Sequence, residues 1–583
     1  MPEAEKIGTE ESAVSHATLK NASRRDVIKG LALASMAGGL GHTAIAEVPP
    51  VPADIRYPTE AKATGDMVRA SDDNPVVETR CGRIRGYVRN GIRTFKAIPY
   101  GADPSGANRF MPPQKPAAWT GTRPCLHHGY VSPQAPRVGW KNNEESWLFS
   151  WDDGIQNEDC LNLNVWTPAL DNGKRPVMVW LHGGDFDAGS ATELPSYDGE
   201  NLAHRGAVLV SVTHRLNVLG YLNLAAFGDK YAPSGNAGML DIVAALEWVR
   251  DNISRFGGDP GKVTIFGQSG GGAKVTALMA MPSAKGLFHR AIVESGSLLT
   301  GVTMESSNRV AEALLNQLGL SAADVDKLQQ LPVNQLEQAA VEITRPSMPQ
   351  SAIIDYRLGA STLGWAPVAG NAVLPQQPFD PKAPEISATV PLLVGNTLNE
   401  FINGINEPDA FSMTEAELQT NVKSVWKEQS RDTIESFRRS YPGANYFQLW
   451  SVIAASPVRT MSLVQARRKA AQNSAPAYCY RFDWQTPVLD GRPMAFHCSE
   501  LAFVFDNTAR CENMTGNGPA ARALAAKMSE SWIQFARNGD PNHSGIPRWK
   551  PFDPATNGTM VFDDECAFRE HLDDECQKVI NEA

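Results

Sequence analysis

Two hydrophobic rhythms alternate along the chain. After Pro75, apolar and polar residues alternate with a period of two in Val76-Val77-Glu78-Thr79, Gly82-Arg83-Ile84-Arg85-Gly86-Tyr87-Val88 and Thr94-Phe95-Lys96-Ala97-Ile98. Successive side chains of a strand point to opposite faces, so this pattern, broken by turn residues, predicts an antiparallel ribbon. Glu158 to Trp166 is one more alternating strand, entered through acids. Further on the strands become nearly continuous apolar runs: 177–181, 208–212, 263–266, 291–295, 391–395 and 477–482. Runs of this length suit strands covered on both faces. Between them the period shifts to that of a helix. Residues 239–254 place Leu240, Val243, Ala244, Leu246 and Val249 on one side. Further helical patterns cover 305–345, Glu415 to Glu428, Arg431 to Arg439, Val458 to Asn473 and Pro519 to Arg537. Strands alternating with helices mean βαβ units, so the chain is α/β with a central, mostly parallel sheet and N-terminal antiparallel strands.

One of the apolar runs leads directly into chemistry. Val263-Thr264-Ile265-Phe266 is followed by Gly267-Gln268-Ser269-Gly270-Gly271 and then a helical pattern. Strand, sharp turn and helix are the context in which Gly-x-Ser-x-Gly forms a nucleophile elbow; without them the motif is only a glycine-rich turn. A serine hydroxyl needs a base to take its proton and an acid to orient that base. On an α/β-hydrolase fold they follow in the order Ser, acid, His. Glu400 lies just past the strand 392–395, where the acid belongs, although placement alone fits a solvated loop acid equally well. Three histidines follow it: His497, His543 and His571. His543 sits in a turn-like Asp-Pro-Asn-His-Ser-Gly and His571 in an acidic tail, which leaves His497 as the best base. His182-Gly183-Gly184-Asp185-Phe186 ends a buried strand upstream, where a glycine segment contributes backbone N–H to an oxyanion hole.

Composition narrows the partners. The 583 residues carry a formal net charge of -10 and no basic run, which speaks against nucleic-acid binding. No apolar stretch is long enough to span a membrane. At the N-terminus, Ser23-Arg24-Arg25-Asp26-Val27-Ile28-Lys29 resembles a twin-arginine consensus, an apolar segment runs from Gly30 to Thr43, and Ala44-Ile45-Ala46 offers a cleavage site. Residues 1–46 therefore read as a signal peptide for the twin-arginine export machinery of a bacterium, with delivery to the periplasm or beyond. Residues 47–73, rich in Pro, Ala and charge, read as a flexible linker, and 74–583 as one domain. The eight cysteines are an even number, which in an exported chain permits disulfides. They contain no C-x-x-C, and the sequence offers no zinc site, metal site or cofactor motif.

The chain resembles the type-B carboxylesterases, the family that includes cholinesterases, bile-salt lipases and bacterial p-nitrobenzyl esterases. The likeness runs from about residue 76 to 562. It is carried by Glu158-Asp159-Cys160-Leu161-Asn162-Leu163-Asn164-Val165, the His182 glycine segment, Gly257-Gly258-Asp259-Pro260, the elbow, Phe288-His289-Arg290-Ala291 and Trp532-Ile533-Gln534-Phe535-Ala536. The resemblance implies an α/β-hydrolase fold whose helical insertions form a gorge. It implies Ser269 as nucleophile, Glu400 as acid and His497 as base, with N–H donors at Gly184, Asp185 and Gly270. It further implies Ser295 as a serine supporting the acid, and structural ion pairs Arg109–Glu158 and Arg215–Asp241. The implied activity is cleavage of small-molecule carboxylic esters through an acyl-enzyme, with no cofactor. The alternatives are a cholinesterase-like binding module that has lost catalysis and a hydrolase of amides, carbamates or lactones. Tannase-like esterases fit less well, because Gln268 stands where they carry cysteine.

The departures from the family pattern define questions for the structure. The family has Gly or Ala at Asp185, usually Glu at Gln268, and Asp-Glu-Gly where this chain has Asn399-Glu400-Phe401. An inward carboxylate at Asp185 would oppose a developing oxyanion. The family's early disulfide joins the cysteine at Cys160 to a Cys-Pro-Gln, but here that segment reads Ser132-Pro133-Gln134. Cys160 is then left to pair with Cys125 or to stay free. Trp151 is placed either in the gorge or in the core.

Overall fold

The computed structural model describes residues 68–135, 142–344 and 364–582. The segment read as a signal peptide, 1–46, and the linker up to residue 67 lie outside the described residues. The main sheet comprises β1 (Val68–Arg69), β2 (Tyr87–Arg89), β3 (Ile92–Pro99), β4 (Asn162–Thr167), β5 (Arg175–Leu181), β6 (Val208–Val212), β7 (Gly258–Gln268), β8 (Arg290–Glu294), β9 (Leu392–Thr397), β10 (Ala477–Phe482), β11 (Thr559–Phe562) and β12 (Ala567–Arg569). Their order across the sheet is β1-β2-β3-β4-β6-β5-β7-β8-β9-β10-β11-β12. The strands from β6 to β11 pair in parallel, while β1 to β4 and the final β12 pair antiparallel. This is the α/β-hydrolase architecture.

The period-two rule explains how the sheet is covered. Val177, Val179 and Leu181 of β5 join one core with Ile242, Leu246 and Val249 of α1 (Ala237–Asn252) and Val275 and Leu278 of α2 (Gly270–Ala280). Met178 and Trp180, between them, point to the opposite core, with Phe266, Ile292 and Trp532. Trp532 comes from the long C-terminal helix Pro519–Asn538, which starts on proline and ends on Gly539 at φ +82°. With both faces buried, no strand in the centre can alternate in polarity, which is why these strands read as continuous apolar runs.

Local departures have local causes. The stretch 82–88 is two strands, not one. Arg83–Arg85 pairs with Val76–Glu78 in a separate three-stranded sheet, and the chain turns at Gly86 before Tyr87–Arg89 enters the main sheet. β1 falls inside the segment read as linker; its two residues are exposed and held by backbone pairing alone, so no side-chain pattern announces it. The last insertion helix begins at Tyr446, not Val458, and runs to Ala470 through Pro457. Asn445 and Gln448 form a reciprocal capping box at its start, and burial on both sides of the proline holds the helix together despite the missing N–H.

Of the two fates left open for Cys160, the structure shows the free thiol. All eight cysteines are free. Cys125 and Cys160 share the main core, but the Cys160 thiol meets the hydroxyl of Ser132, the residue that replaces the family's cysteine partner. Burial pushes the Cys125 thiol up to about 12, so it is not a reactive thiolate at neutral pH. The two ion pairs are present: Arg109 Nη2 lies 2.6 Å from Glu158 Oε1, and Arg215 Nη2 lies 2.7 Å from Asp241 Oδ1. No helix among the described residues is long and apolar enough to cross a membrane.

Candidate active site

β7 leaves the sheet at Gln268 and turns straight into α2. Ser269, at the turn, is held at φ +56° and ψ −126°, a strained conformation for a residue with a side chain. Its N–H donates to Glu294 O (2.8 Å) at the end of β8. The turn demands glycine nearby: a side chain at Gly271 would meet Leu181 O at 2.0 Å. A side chain at Gly270 would meet the backbone of Asp185 at 2.3 Å, so the first turn of α2 rests directly on the loop that follows β5. Within 263–281 Ser269 is the residue left partly exposed.

The loop His182–Phe186 curls at Gly184 (φ +78°) and Asp185 (φ +53°), and Gly184 O accepts from the N–H of Ala188 at 3.0 Å. The N–H groups of Gly184 and Asp185 meet no acceptor among the described residues, and that of Gly270 belongs to the unpaired first turn of a helix. Gly184, Asp185 and Ser269 line one cavity of about 370 Å³, together with His497. The Asp185 side chain is half-buried in its wall.

Glu400 is fully buried at φ +50°. Its Oε1 accepts the hydroxyl of Ser295 (2.7 Å) and the N–H of Thr397 (3.1 Å), and its Oε2 is hydrogen-bonded to His497 Nδ1. His497 N–H also donates to Glu400 O (2.8 Å). The residue that departs from the family pattern here, Asn399, anchors the loop. Its Oδ1 accepts from Ala495 N (3.1 Å) and its Nδ2 donates to Ser451 Oγ (3.1 Å) on the helix Tyr446–Ala470. That insertion thus shapes the cavity at one remove. Among the described residues, the walls themselves come from Glu145 to Trp151, Gly183 to Tyr197, Phe401 to Glu407 and the His497 loop. Trp151 lines this cavity and a second one of about 330 Å³ beside it, so its place is the gorge.

Several neighbours escaped the sequence reading. The Phe401 ring lies against the His497 ring with centroids 3.8 Å apart and planes tilted by 32°; nothing but its adjacency to Glu400 marks it in the sequence. The Gln268 amide nitrogen lies 3.1 Å from His497 Nε2, and its carbonyl oxygen accepts from the Cys498 thiol at 3.1 Å. Burial raises the Cys498 thiol well above its ordinary range, with the carboxyls of Glu500 and Glu400 adding to it. Behind the site, Glu294 accepts from Trp532 Nε1 (2.6 Å), and burial lifts its carboxyl to about 8. Glu500 is likewise buried and raised, first by desolvation and then by Glu294 and Glu400.

Comparison with known proteins shows the family. The model of the carboxylesterase family matches residues 73–579. The chain belongs to the carboxylesterase family. With that membership it is a carboxylic ester hydrolase of the serine type. It is 33% identical over 496 residues to the para-nitrobenzyl esterase of Bacillus subtilis, covering 84% of this chain and 95% of the relative. It is 32% identical over 503 residues to the phenmedipham hydrolase of Pseudarthrobacter oxydans, covering 85% and 96%. Among solved structures, an esterase from Clostridium hathewayi that can hydrolyze aliphatic aromatic polyesters superposes with a TM-score of 0.76 at 35% identity, over 88% of this chain and all of that one. A carboxylesterase of Geobacillus stearothermophilus gives 0.70 at 34% identity, over 86% and 99%. For this carboxylesterase the fold and the family thus agree.

Proposed function

We propose that this carboxylesterase cleaves small-molecule carboxylic esters by two-step acyl transfer, with Ser269 as nucleophile, His497 as base and Glu400 as the orienting acid. The observation that carries the reading is the buried chain Ser295–Glu400–His497, which ends in the cavity that Ser269 also lines. Glu400, bonded to Nδ1, keeps the proton on that nitrogen and leaves Nε2 to take the hydroxyl proton of Ser269. The serine oxygen attacks the ester carbonyl. The oxyanion is received by the N–H groups of Gly184, Asp185 and Gly270, whose lack of internal partners suits that task. His497 then gives its proton to the leaving alcohol, and water, activated by the same imidazole, frees the acid and restores Ser269. Phe149, Trp151, Tyr197 and Phe401 in the walls favour substrates with an aromatic ring. The para-nitrobenzyl and aromatic-polyester activities in the names of two relatives point the same way. We further propose that residues 1–46 direct export through the twin-arginine machinery; a Lys-Lys replacement of Arg24-Arg25 that leaves the periplasmic fraction unchanged would refute this.

The test is hydrolysis of p-nitrophenyl esters of graded acyl length by the parent and by Ser269→Ala. Turnover in the parent that disappears in the variant is the expected result, and full activity in the variant would remove Ser269 from the mechanism.

A further inference from the structure

Lys274 is a buried charge that the mechanism above does not use. It stands on α2 four residues after Gly270, so the two share a helix face. Its side chain has no exposed surface. Its Nζ donates to His182 O at 2.9 Å, reaches Gly183 O at 3.5 Å and lies 5.7 Å from the centre of the Phe186 ring. All three contacts fall on the loop that carries the N–H groups of Gly184 and Asp185. The Gly183 oxygen also lies 2.9 Å from His182 Nδ1, whose ring stacks on His214 at 4.8 Å. Burial and the nearby Lys274 hold His214 well below the usual imidazole range, so the stacked partner stays neutral.

The chemistry follows from the peptide unit. Gly183 C=O and Gly184 N–H are the two ends of one conjugated, planar group. A cation at the oxygen draws charge toward that end and makes the N–H a stronger donor, an effect that chained hydrogen bonds enlarge by about 10–30% per bond. The interior of the protein weakens such an interaction far less than water would. The cation also sits beneath a loop whose Asp185 shares a cavity wall with Ser269. We propose that Lys274 is a positioning residue for ester hydrolysis. Its ammonium, anchored on the His182 and Gly183 carbonyls, fixes the loop and strengthens the Gly184 N–H toward the oxyanion.

The inference rests on the esterase reading, and the parent enzyme with Ser269→Ala tests that reading separately. The variant for the inference is Lys274→Met, which keeps the side-chain length and removes the charge. Active sites are counted by fluorophosphonate titration, so that kcat refers to folded enzyme. The expected result on p-nitrophenyl acetate is a kcat about 10-fold lower or more, bounded by the about 10²–10³-fold cost of losing a donor outright. KM stays near the parent value, the Ki of a trifluoromethyl ketone that forms an oxyanion adduct rises by a similar factor, and Lys274→Arg recovers part of both. A merely structural lysine would lower the titratable fraction and leave kcat per site and the ketone Ki unchanged; that result overturns the proposal. Should Lys274→Met not fold, Lys274→Gln decides by the same readouts. If neither folds, Lys274 is a requirement of the fold and the proposal is overturned.

Discussion

Replacing Glu400 by glutamine is the sharpest perturbation the site allows, because the shape is kept and one donor–acceptor relation is inverted. The carboxylate faces three donors: the Ser295 hydroxyl and Thr397 N–H on Oε1, and His497 Nδ1 on Oε2. A glutamine must turn its oxygen to one side and its NH₂ to the other. The Ser295 hydroxyl can rotate to accept, but the Thr397 N–H is part of the backbone and can only donate. The amide oxygen therefore stays on the Thr397 side, and the NH₂ faces Nδ1. Two N–H groups cannot face each other at hydrogen-bond distance, so His497 must move its proton to Nε2, the nitrogen that has to accept from Ser269. Wrong-tautomer variants of serine-histidine-acid sites lose about 10⁴ in kcat, which corresponds to about 5 kcal/mol of barrier. The assay is kcat on p-nitrophenyl acetate at pH 7–8, normalised to titrated sites, with thermal melting as a control for folding. The variant should melt near the parent while losing most of its turnover. A kcat within tenfold of the parent would refute both the role of Glu400 and the argument from Thr397.

Two further outcomes follow from buried ionisable groups outside the proposed triad. Glu294 has a folded value near 8, far above that of an unfolded glutamate. The native state therefore binds more protons than the unfolded state between those values, and stability falls as pH rises through that window. Glu294→Gln, whose amide oxygen can still accept from Trp532 Nε1, should flatten the decline in melting temperature from pH 5 to pH 8; an unchanged slope would show that Glu294 does not cause it. The Arg215–Asp241 pair is almost completely enclosed, with side-chain exposures of 2% and 0%. Asp241→Ala strands the guanidinium and should cost about 3–5 kcal/mol in denaturant unfolding, whereas an apolar replacement of both partners should cost markedly less.

The legible parts of this protein were those in which local sequence and tertiary role agree. The central strands could be read because burial on both faces forces continuous apolar runs. Ser269 could be read because the elbow needs small residues around it, and that need is local. Chain order and the poor placement of His543 and His571 single out His497, which the structure sets against Glu400. The illegible parts depend on contacts between distant segments. β1 is two exposed residues with no pattern to show. The helix from Tyr446 crosses a proline because its surroundings, not its propensity, hold it together. Cys160 carries the family's cysteine, yet its fate is set by Ser132, some thirty positions away, which cannot form the bond.

The departures at the site have a common reading. Asn399, at a position where the resemblance implies aspartate, supplies both a carbonyl for Ala495 and an amide for Ser451, so neutral hydrogen bonds fix the acid loop. Gln268 replaces a family glutamate and sets a neutral amide beside His497. Glu294 and Glu500, behind the site, are held toward their protonated forms by burial. Each of these reduces negative charge around the imidazole that the proposed mechanism turns into an imidazolium, and Glu400 is the carboxyl group in direct contact with it. Against that trend Asp185 adds a carboxylate beside the oxyanion donors, and Lys274 places a cation under the same loop. The Lys274 variants measure how far catalysis depends on that cation beneath the loop.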